Sequence, residues 1–228
     1  NLHNAIAREA YAIAGVKIKH KETVRVMLNH LLADVQDELK HTDANVNITL
    51  ESTDKPSEVI GAKKTKKLVL AIYACPHGVI GMSHDIPGMV ETSTNLASVK
   101  MLKNNIIEIG TSQRSSTESA KHDIKNMVSS VFELAGAEIK NNEGYPGWKP
   151  NSDSAILKVA KEEYKKLYNV YPEVKAIHAG LECGLFLEKY PELDMISIGP
   201  TIRNAHSPDE KVEIASVAKW WDSFVKLL

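Results

Sequence analysis

The residues with the clearest chemical potential are a loop histidine, an arginine at a strand end and a glycine-glutamate turn. His206 lies in Ser197-Ile-Gly-Pro-Thr-Ile-Arg-Asn-Ala-His-Ser-Pro-Asp-Glu210. An apolar run ending at Ile198 meets a Gly-Pro break, then His206, then Ser207-Pro208-Asp209-Glu210 and a helix start. That order is how an open α/β sheet presents one ligand at the carboxyl end of a strand. A neutral imidazole held by a nearby acceptor suits zinc, and Asp209 and Glu210 stand close in sequence. The alternative is a solvated loop histidine.

Ile177-His-Ala-Gly-Leu-Glu-Cys-Gly184 is a second candidate. A strand ending at His178 and turning through Ala179-Gly180 presents backbone N–H groups that can hold a carboxylate or a developing oxyanion. Glu182 can accept from a substrate ammonium or imidazole; a turn glycine and a solvated glutamate fit the same spacing. Arg114 ends a strand beside Ser115 and Ser116, and a guanidinium is suited to bidentate carboxylate binding. An exposed sheet-edge arginine is the other reading. Asn4, in Leu2-His-Asn-Ala-Ile6, can donate to an oxyanion or simply shape a turn. Cys183 with His178 would make a thiol nucleophile only if the two met in space; a small buried cysteine is the plainer reading. Glu162-Glu163, His84-Asp85 and His122-Asp123 are adjacent pairs whose side chains diverge, and the sequence has no HExxH, GxSxG or phosphate loop.

These residues need a framework. The 228 residues, 43% apolar and with net charge −1, suit one large or two small domains. The near-neutral balance argues against nucleic acid as the main partner, and Lys63-Lys64-Thr65-Lys66-Lys67 reads as a solvated helix face. No apolar run approaches the roughly 20 residues that span a bilayer, so no membrane partner is expected. Two cysteines, Cys75 and Cys183, make neither a disulfide framework nor a CxxC site, and a cytoplasmic location is the default. The opening Asn-Leu-His-Asn reads like the middle of a protein.

Residues 1 to 140 read as one alternating unit. Tyr11 to Lys19 has strand character, and Thr23 to Leu39 is an amphipathic helix with Val24, Leu28, Leu31, Val35 and Leu39 in one stripe. Val46, Ile48 and Leu50 alternate like a half-buried strand, and Pro56 fits the first turn of a helix reaching Ala74. Cys75 to Gly88 reads as a loop. Strands follow at Thr92 to Leu102 and Ile106 to Thr111, with Asn104-Asn105 as a tight hairpin because Asn tolerates positive φ. Ser115-x-x-Glu118 has the form of a capping box. The helix it opens should bury Ile124, Met127, Val131 and Leu134 and stop at Gly136. This predicts an α/β sandwich, mostly antiparallel, close to a ferredoxin-like plan. Asn141 to Asn151, with two prolines and two glycines, marks a domain boundary. Residues 152 to 228 then read helix, strand, helix, strand, helix. Their helices would bury Ile156, Ala160, Tyr164 and Leu167, and Ile214, Val217, Trp221 and Phe224. Their strands, Lys175 to His178 and Asp194 to Ile198, suggest the edge of a parallel sheet that needs further strands.

The sequence resembles the aminoacyl-histidine (Xaa-His) dipeptidases, bacterial enzymes of the dizinc M20 metallopeptidase clan. The resemblance is carried by Leu2-His-Asn-Ala-Ile-Ala-Arg-Glu-Ala10, Gly88-Met-Val-Glu-Thr-Ser93, the strand ending at Arg114, Ala135-Gly136-Ala137, Gly144-Tyr-Pro-Gly-Trp148, Ile177 to Phe186 and Met195 to Val212. It implies a dizinc catalytic domain and an inserted lid that also dimerises. Residues 1–140 would be most of the lid, its opening strand missing, and 141–228 the closing segment of the catalytic domain. By the same resemblance, His206 matches the last zinc ligand and Arg114 the lid arginine that holds the substrate's terminal carboxylate. Asn4 matches the lid asparagine near the reacting carbonyl, and Gly180 and Glu182 fall in the loop lining the pocket. The family's other zinc ligands, bridging aspartate and general-base glutamate precede the lid and have no counterpart in these 228 residues. Ala7 stands where the family has proline. The implied parent is a homodimeric zinc enzyme cleaving carnosine-like dipeptides, with no catalytic residue in this chain, which alone would be inactive. The non-enzymatic alternative is a lid-type dimerisation module, and the plainest is an α/β scaffold without a site.

Overall fold

A computed structural model describes residues 6–84, 86–142, 144, 146–148, 151, 153–175, 182–205 and 209–228, with the backbone alone at Glu182. The chain divides into two compact units, Arg8–Leu70 in one and Ala71–Leu228 together with Asn1–Ala7 in the other, the first boundary following Ala7 and the second falling within one helix.

In the first unit, Tyr11 to Lys19 is not a strand. It runs unpaired, with Tyr11 90% exposed, into a short 3-10 turn at Ile18–His20. Strand propensity becomes a strand only where a neighbouring edge accepts the backbone hydrogen bonds, and none is present among the described residues. Helix α1 (Lys21–Leu39) forms as its periodicity requires. Its half-buried stripe is Val24, Leu28, Leu32, Val35 and Leu39, with Leu32 in place of Leu31. Val46 and Ile48 are half-buried and Leu50 exposed, but no ladder forms there. Helix α2 (Ala62–Ala74) begins later than Pro56 suggests. Gly61, a poor helix former, precedes the helix, and its carbonyl accepts from the Lys64 and Thr65 amides.

The second unit holds the sheet. β1 (Gly78–Met82), β2 (Val90–Leu102) and β3 (Ile106–Ser115) form an antiparallel meander in the order β1-β2-β3. β1 lies inside the glycine-rich stretch that reads as a loop. It pairs with β2 through two register shifts, and the Leu96 N–H at the bulge of β2 donates to His77 Nδ1 (3.0 Å) just ahead of it. The β2–β3 hairpin turns at Asn104 and Asn105, φ 63° and 59°, as the Asn pair predicts.

Helix α3 (Glu118–Leu134) closes the layer. Its buried stripe is Ile124, Val128 and Phe132, which meet Ala71 and Cys75 from the α2 end and Leu96 and Ile109 from the sheet. Met127 and Leu134 lie outside it, the latter 86% exposed; the face engaged is centred about one residue further along the helix than expected. α3 ends as predicted: Gly136 at φ 82° donates to Glu133 O and Ala137 donates to Phe132 O, a Schellman pair. Its start differs from a capping box. Thr117 is the cap position and Glu118 already lies in the first turn, so the glutamate cannot reach back.

Helices α4 (Ala155–Tyr168) and α6 (Ile214–Leu227) pack together, with the Tyr168 hydroxyl donating to the Lys219 carbonyl (2.9 Å). Ser154, 2% exposed, caps α4 by accepting from the Leu157 N–H (3.1 Å). Ile156 and Leu167 remain substantially exposed while Ala160 and Tyr164 are half-buried. On α6, Trp220 and Phe224 turn inward, whereas Ile214, Val217 and Trp221 are exposed. Asp194 to Ile198 has no regular secondary structure, and Lys175 is outside any strand; residues 176–178 lie outside the described residues. Between the two helices come α5 (Glu182–Lys189) and a two-stranded ribbon of β4 (Ile202–Arg203) and β5 (Lys211–Val212).

Candidate functional site

Of the residues assigned to zinc and substrate contacts, Arg114 is the one whose side chain the structure describes. It sits opposite Ser93 near the end of the β2–β3 ladder, half-buried. Alternation along β3 places it on the sheet face opposite the one carrying Ile109, which packs on the core with α3. Ser115 beside it is buried and its hydroxyl is tied twice: it shares a 2.8 Å hydrogen bond with Thr92 Oγ1 and accepts from the Thr117 N–H (3.0 Å), while the neighbouring Ser116 N–H donates to Glu91 O (3.2 Å). A buried hydroxyl pair is costly to leave unmade and so fixes register. Gln113 adds a bond to Thr94 Oγ1 (3.2 Å) one ladder position back.

Immediately beyond, Glu118 Oε1 accepts from Lys121 Nζ (2.7 Å) and from the Gly147 N–H (2.9 Å). Burial pushes the Glu118 carboxyl up, but Lys121, the Gly147 amide and the nearby His122 outweigh it and hold it below the ordinary glutamate value.

Glu182 opens α5, and its side chain lies outside the described residues, as do Asn4, Gly180 and His206. The ribbon bracketing His206 is described. Ile202 pairs with Val212 and Arg203 with Lys211. Glu213 N–H donates to Thr201 O (2.9 Å), Thr201 N–H donates to Ser216 Oγ (2.8 Å), and Arg203 pairs with Glu213 (3.3 Å). The loop stem is thus tied to the start of α6. α6 begins at Ile214, four residues later than Glu210, because the return strand β5 intervenes.

Among the described residues no three His, Cys, Asp or Glu side chains gather closely enough to hold a metal ion. The described part of the chain does not by itself provide a zinc site. Cys75 is buried, and burial pushes its thiol up, which disfavours the thiolate. Cys183 is half-buried on α5.

Sequence reasoning missed the Glu118–Gly147 bond, the Thr92–Ser115 pair and the His77–Leu96 bond. Each joins residues at least 19 apart, and the Gly-Tyr-Pro-Gly punctuation, read as a boundary, gave no sign that Gly147 packs against the β3–α3 turn.

Residues 13–228 match the family described as Peptidase family M20/M25/M40. The chain belongs to this family. It is a family of metallopeptidases, and the α/β fold follows from it. The chain is 39% identical over 227 residues to the cytosol non-specific dipeptidase of Escherichia coli (strain K12), covering 100% of this chain and 47% of that protein. The structure of aminoacylhistidine dipeptidase from Vibrio alginolyticus matches with a TM-score of 0.78 at 37% identity, over 92% of this chain and 42% of that one. Aminopeptidase PepT from Bacillus cereus ATCC 10987 shares the fold, with a TM-score of 0.51 at 18% identity over 72% of this chain and 44% of that one. The chain therefore spans about half the length of the curated relative it matches. No described helix is long and apolar enough to cross a membrane.

Proposed function

We propose that this M20 chain is part of a cytoplasmic, zinc-dependent dipeptidase that hydrolyses Xaa-His, carnosine-like dipeptides, and that alone it is inactive. The supporting observation is Arg114, held near the end of β3 by the Thr92–Ser115 pair on the face away from the core. A guanidinium so fixed suits the terminal carboxylate of a short peptide. Recognition of that charge at a fixed distance excludes longer peptides. Asn4 would donate to the reacting carbonyl, and Gly180 and Glu182 would line the pocket. His206, between the two ribbon strands in sequence, would supply one ligand of a two-zinc site whose other ligands lie outside this chain. Residues 1–140 would form the lid and 141–228 the end of the catalytic domain, with the lid also making a homodimer. The apolar hairpin tip, where Val99, Met101, Leu102 and Ile106 are exposed, favours such a contact and is also the observation that supports a purely dimerising module.

The test compares this chain with a protein joining it to the amino-terminal half of the Escherichia coli relative. Only the joined protein should bind about two zinc ions per subunit and cleave Xaa-His. His206→Ala should then remove one zinc, and Arg114→Ala should abolish the preference for a free terminal carboxylate over the dipeptide amide. Hydrolysis by the 228-residue chain itself, or unchanged zinc content in His206→Ala, overturns the assignment.

A further inference from the structure

We propose that Glu118 is a positioning residue for Arg114: it clasps the Gly147 peptide and so fixes the β3–α3 turn against the segment that crosses to the rest of the second unit. The proposal rests on the reading of Arg114 as the clamp for a substrate carboxylate.

Three observations converge on one segment. The Gly147 N–H donates to Glu118 Oε1 across 29 residues of sequence, and Lys121 holds the same oxygen. Gly147 lies flush on the turn itself: a Cβ there would stand 2.7 Å from the Ser115 carbonyl oxygen and 2.9 Å from Ser116 Cα. On the other side, a Cβ on Gly184 of α5 would stand 2.5 Å from the Pro146 carbonyl oxygen. Both neighbours are backbone, so neither contact can be relieved by moving a side chain, and glycine is required at each position.

The Pro146-Gly147 segment is therefore wedged between the turn that follows Arg114 and the helix that opens at Glu182. A first-turn acid is ordinarily a mild favourable charge at a helix N-terminus. That function needs no partner from elsewhere. Here the carboxylate reaches out of its helix to a peptide N–H that would otherwise lose its bond, next to the residue preceding the turn. Two regions that the family resemblance assigns to substrate contacts, the end of β3 and the start of α5, are joined through the Pro146-Gly147 segment, with Glu118 as the polar tie.

The test uses this chain and two substitutions. Glu118→Ala removes the acceptor, whereas Glu118→Gln keeps an acceptor oxygen. Hydrogen exchange of the Gly147 amide should accelerate about tenfold or more in Glu118→Ala and return most of the way in Glu118→Gln, as loss of a hydrogen bond to a charged group implies. The backbone and Nε–H NMR signals of Arg114 should move or broaden in Glu118→Ala and be restored in Glu118→Gln. Signals around Gly136, at the far end of α3, should stay in place in both.

Unchanged Gly147 exchange in Glu118→Ala overturns the clasp. Faster exchange with unmoved Arg114 signals, or Arg114 signals that move without rescue by Gln, overturns the positioning role. The carboxylate preference tested above with Arg114→Ala is separate. Its failure would remove the substrate assignment of Arg114 while leaving the clasp to stand or fall on exchange.

Discussion

The two halves of the second unit follow the same local rules and reach different ends. Between Ala71 and Asn142, α2, α3 and the three-stranded meander bury one another's apolar residues: Ile124, Val128 and Phe132 close on Ala71 and Cys75 with Leu96 and Ile109 beneath. Between Asp153 and Leu228, α4 and α6 form on schedule and pair, yet Ile156, Val159, Val217 and Trp221 keep a third or more of their surface exposed. Among the described residues of this half, the one buried side chain is polar, the cap Ser154. Helix formation depends on local periodicity and caps, whereas burial of the apolar stripe depends on a second layer. The first half carries its own second layer, and the second half is held mainly by caps, ribbon pairing and aromatic edges.

The sharpest way to break this contrast is to cut a large side chain from each half. Ile124, 1% exposed, contacts both helix and sheet, so Ile124→Ala should destabilise the protein by about 3 kcal/mol. Trp221, 55% exposed, touches Trp220 and Phe224 by ring edges, so Trp221→Ala should cost about 1 kcal/mol or less despite removing more atoms. Urea unfolding of both variants checks the order. Equal losses would mean that the second half has a core of the same quality as the first.

The same contrast governs what could be read from sequence. The Asn104-Asn105 turn and the Gly136 stop were legible because positive φ is a property of single residues. α1 and α6 were legible from periodicity, although the inward face of α6 falls on Trp220 rather than Trp221, a one-residue rotation that only a partner helix decides. β1 was not legible because its glycines mimic a loop and its pairing is set by β2, across a separation of eight to sixteen residues. Tyr11 to Lys19 and Asp194 to Ile198 have strand composition, but the described residues offer them no edge to join. At the candidate site, Arg114 was legible as the polar end of a strand. The Glu118–Gly147 tie was not, since nothing local requires a glutamate to leave its helix.

A smaller effect sharpens the account of the second half as cap-held. Ser154→Ala removes the acceptor for the Leu157 N–H at the start of α4, and the site is almost fully enclosed. The expected loss is about 1 kcal/mol, seen as a lower urea midpoint with an unchanged slope. A loss below measurement error would mean that α4 is held by its packing on α6 alone.

The smallest expected effect concerns a cap that comes from another segment. Asp194, read from sequence as the start of a strand, instead accepts from the Ile156 N–H (3.0 Å) at the first turn of α4, 38 residues away. Its carboxyl is held below the ordinary aspartate value first by the Ser154 hydroxyl and then by the Ile156 amide, with burial opposing weakly. A carboxyl depressed in the folded state stabilises it at pH above the unfolded value near 4, and that contribution disappears as pH falls through the lower folded value. Asp194→Asn should therefore be slightly less stable than the parent at neutral pH, and the difference should close as pH falls below about 4 and through the lower folded value. Asn keeps one acceptor oxygen, so the hydrogen bond itself can survive and the comparison isolates the charge at the helix N-terminus. A gap that stays constant across that window would assign the Asp194 contribution to hydrogen-bond geometry, and the electrostatic part of the cap would have to be abandoned.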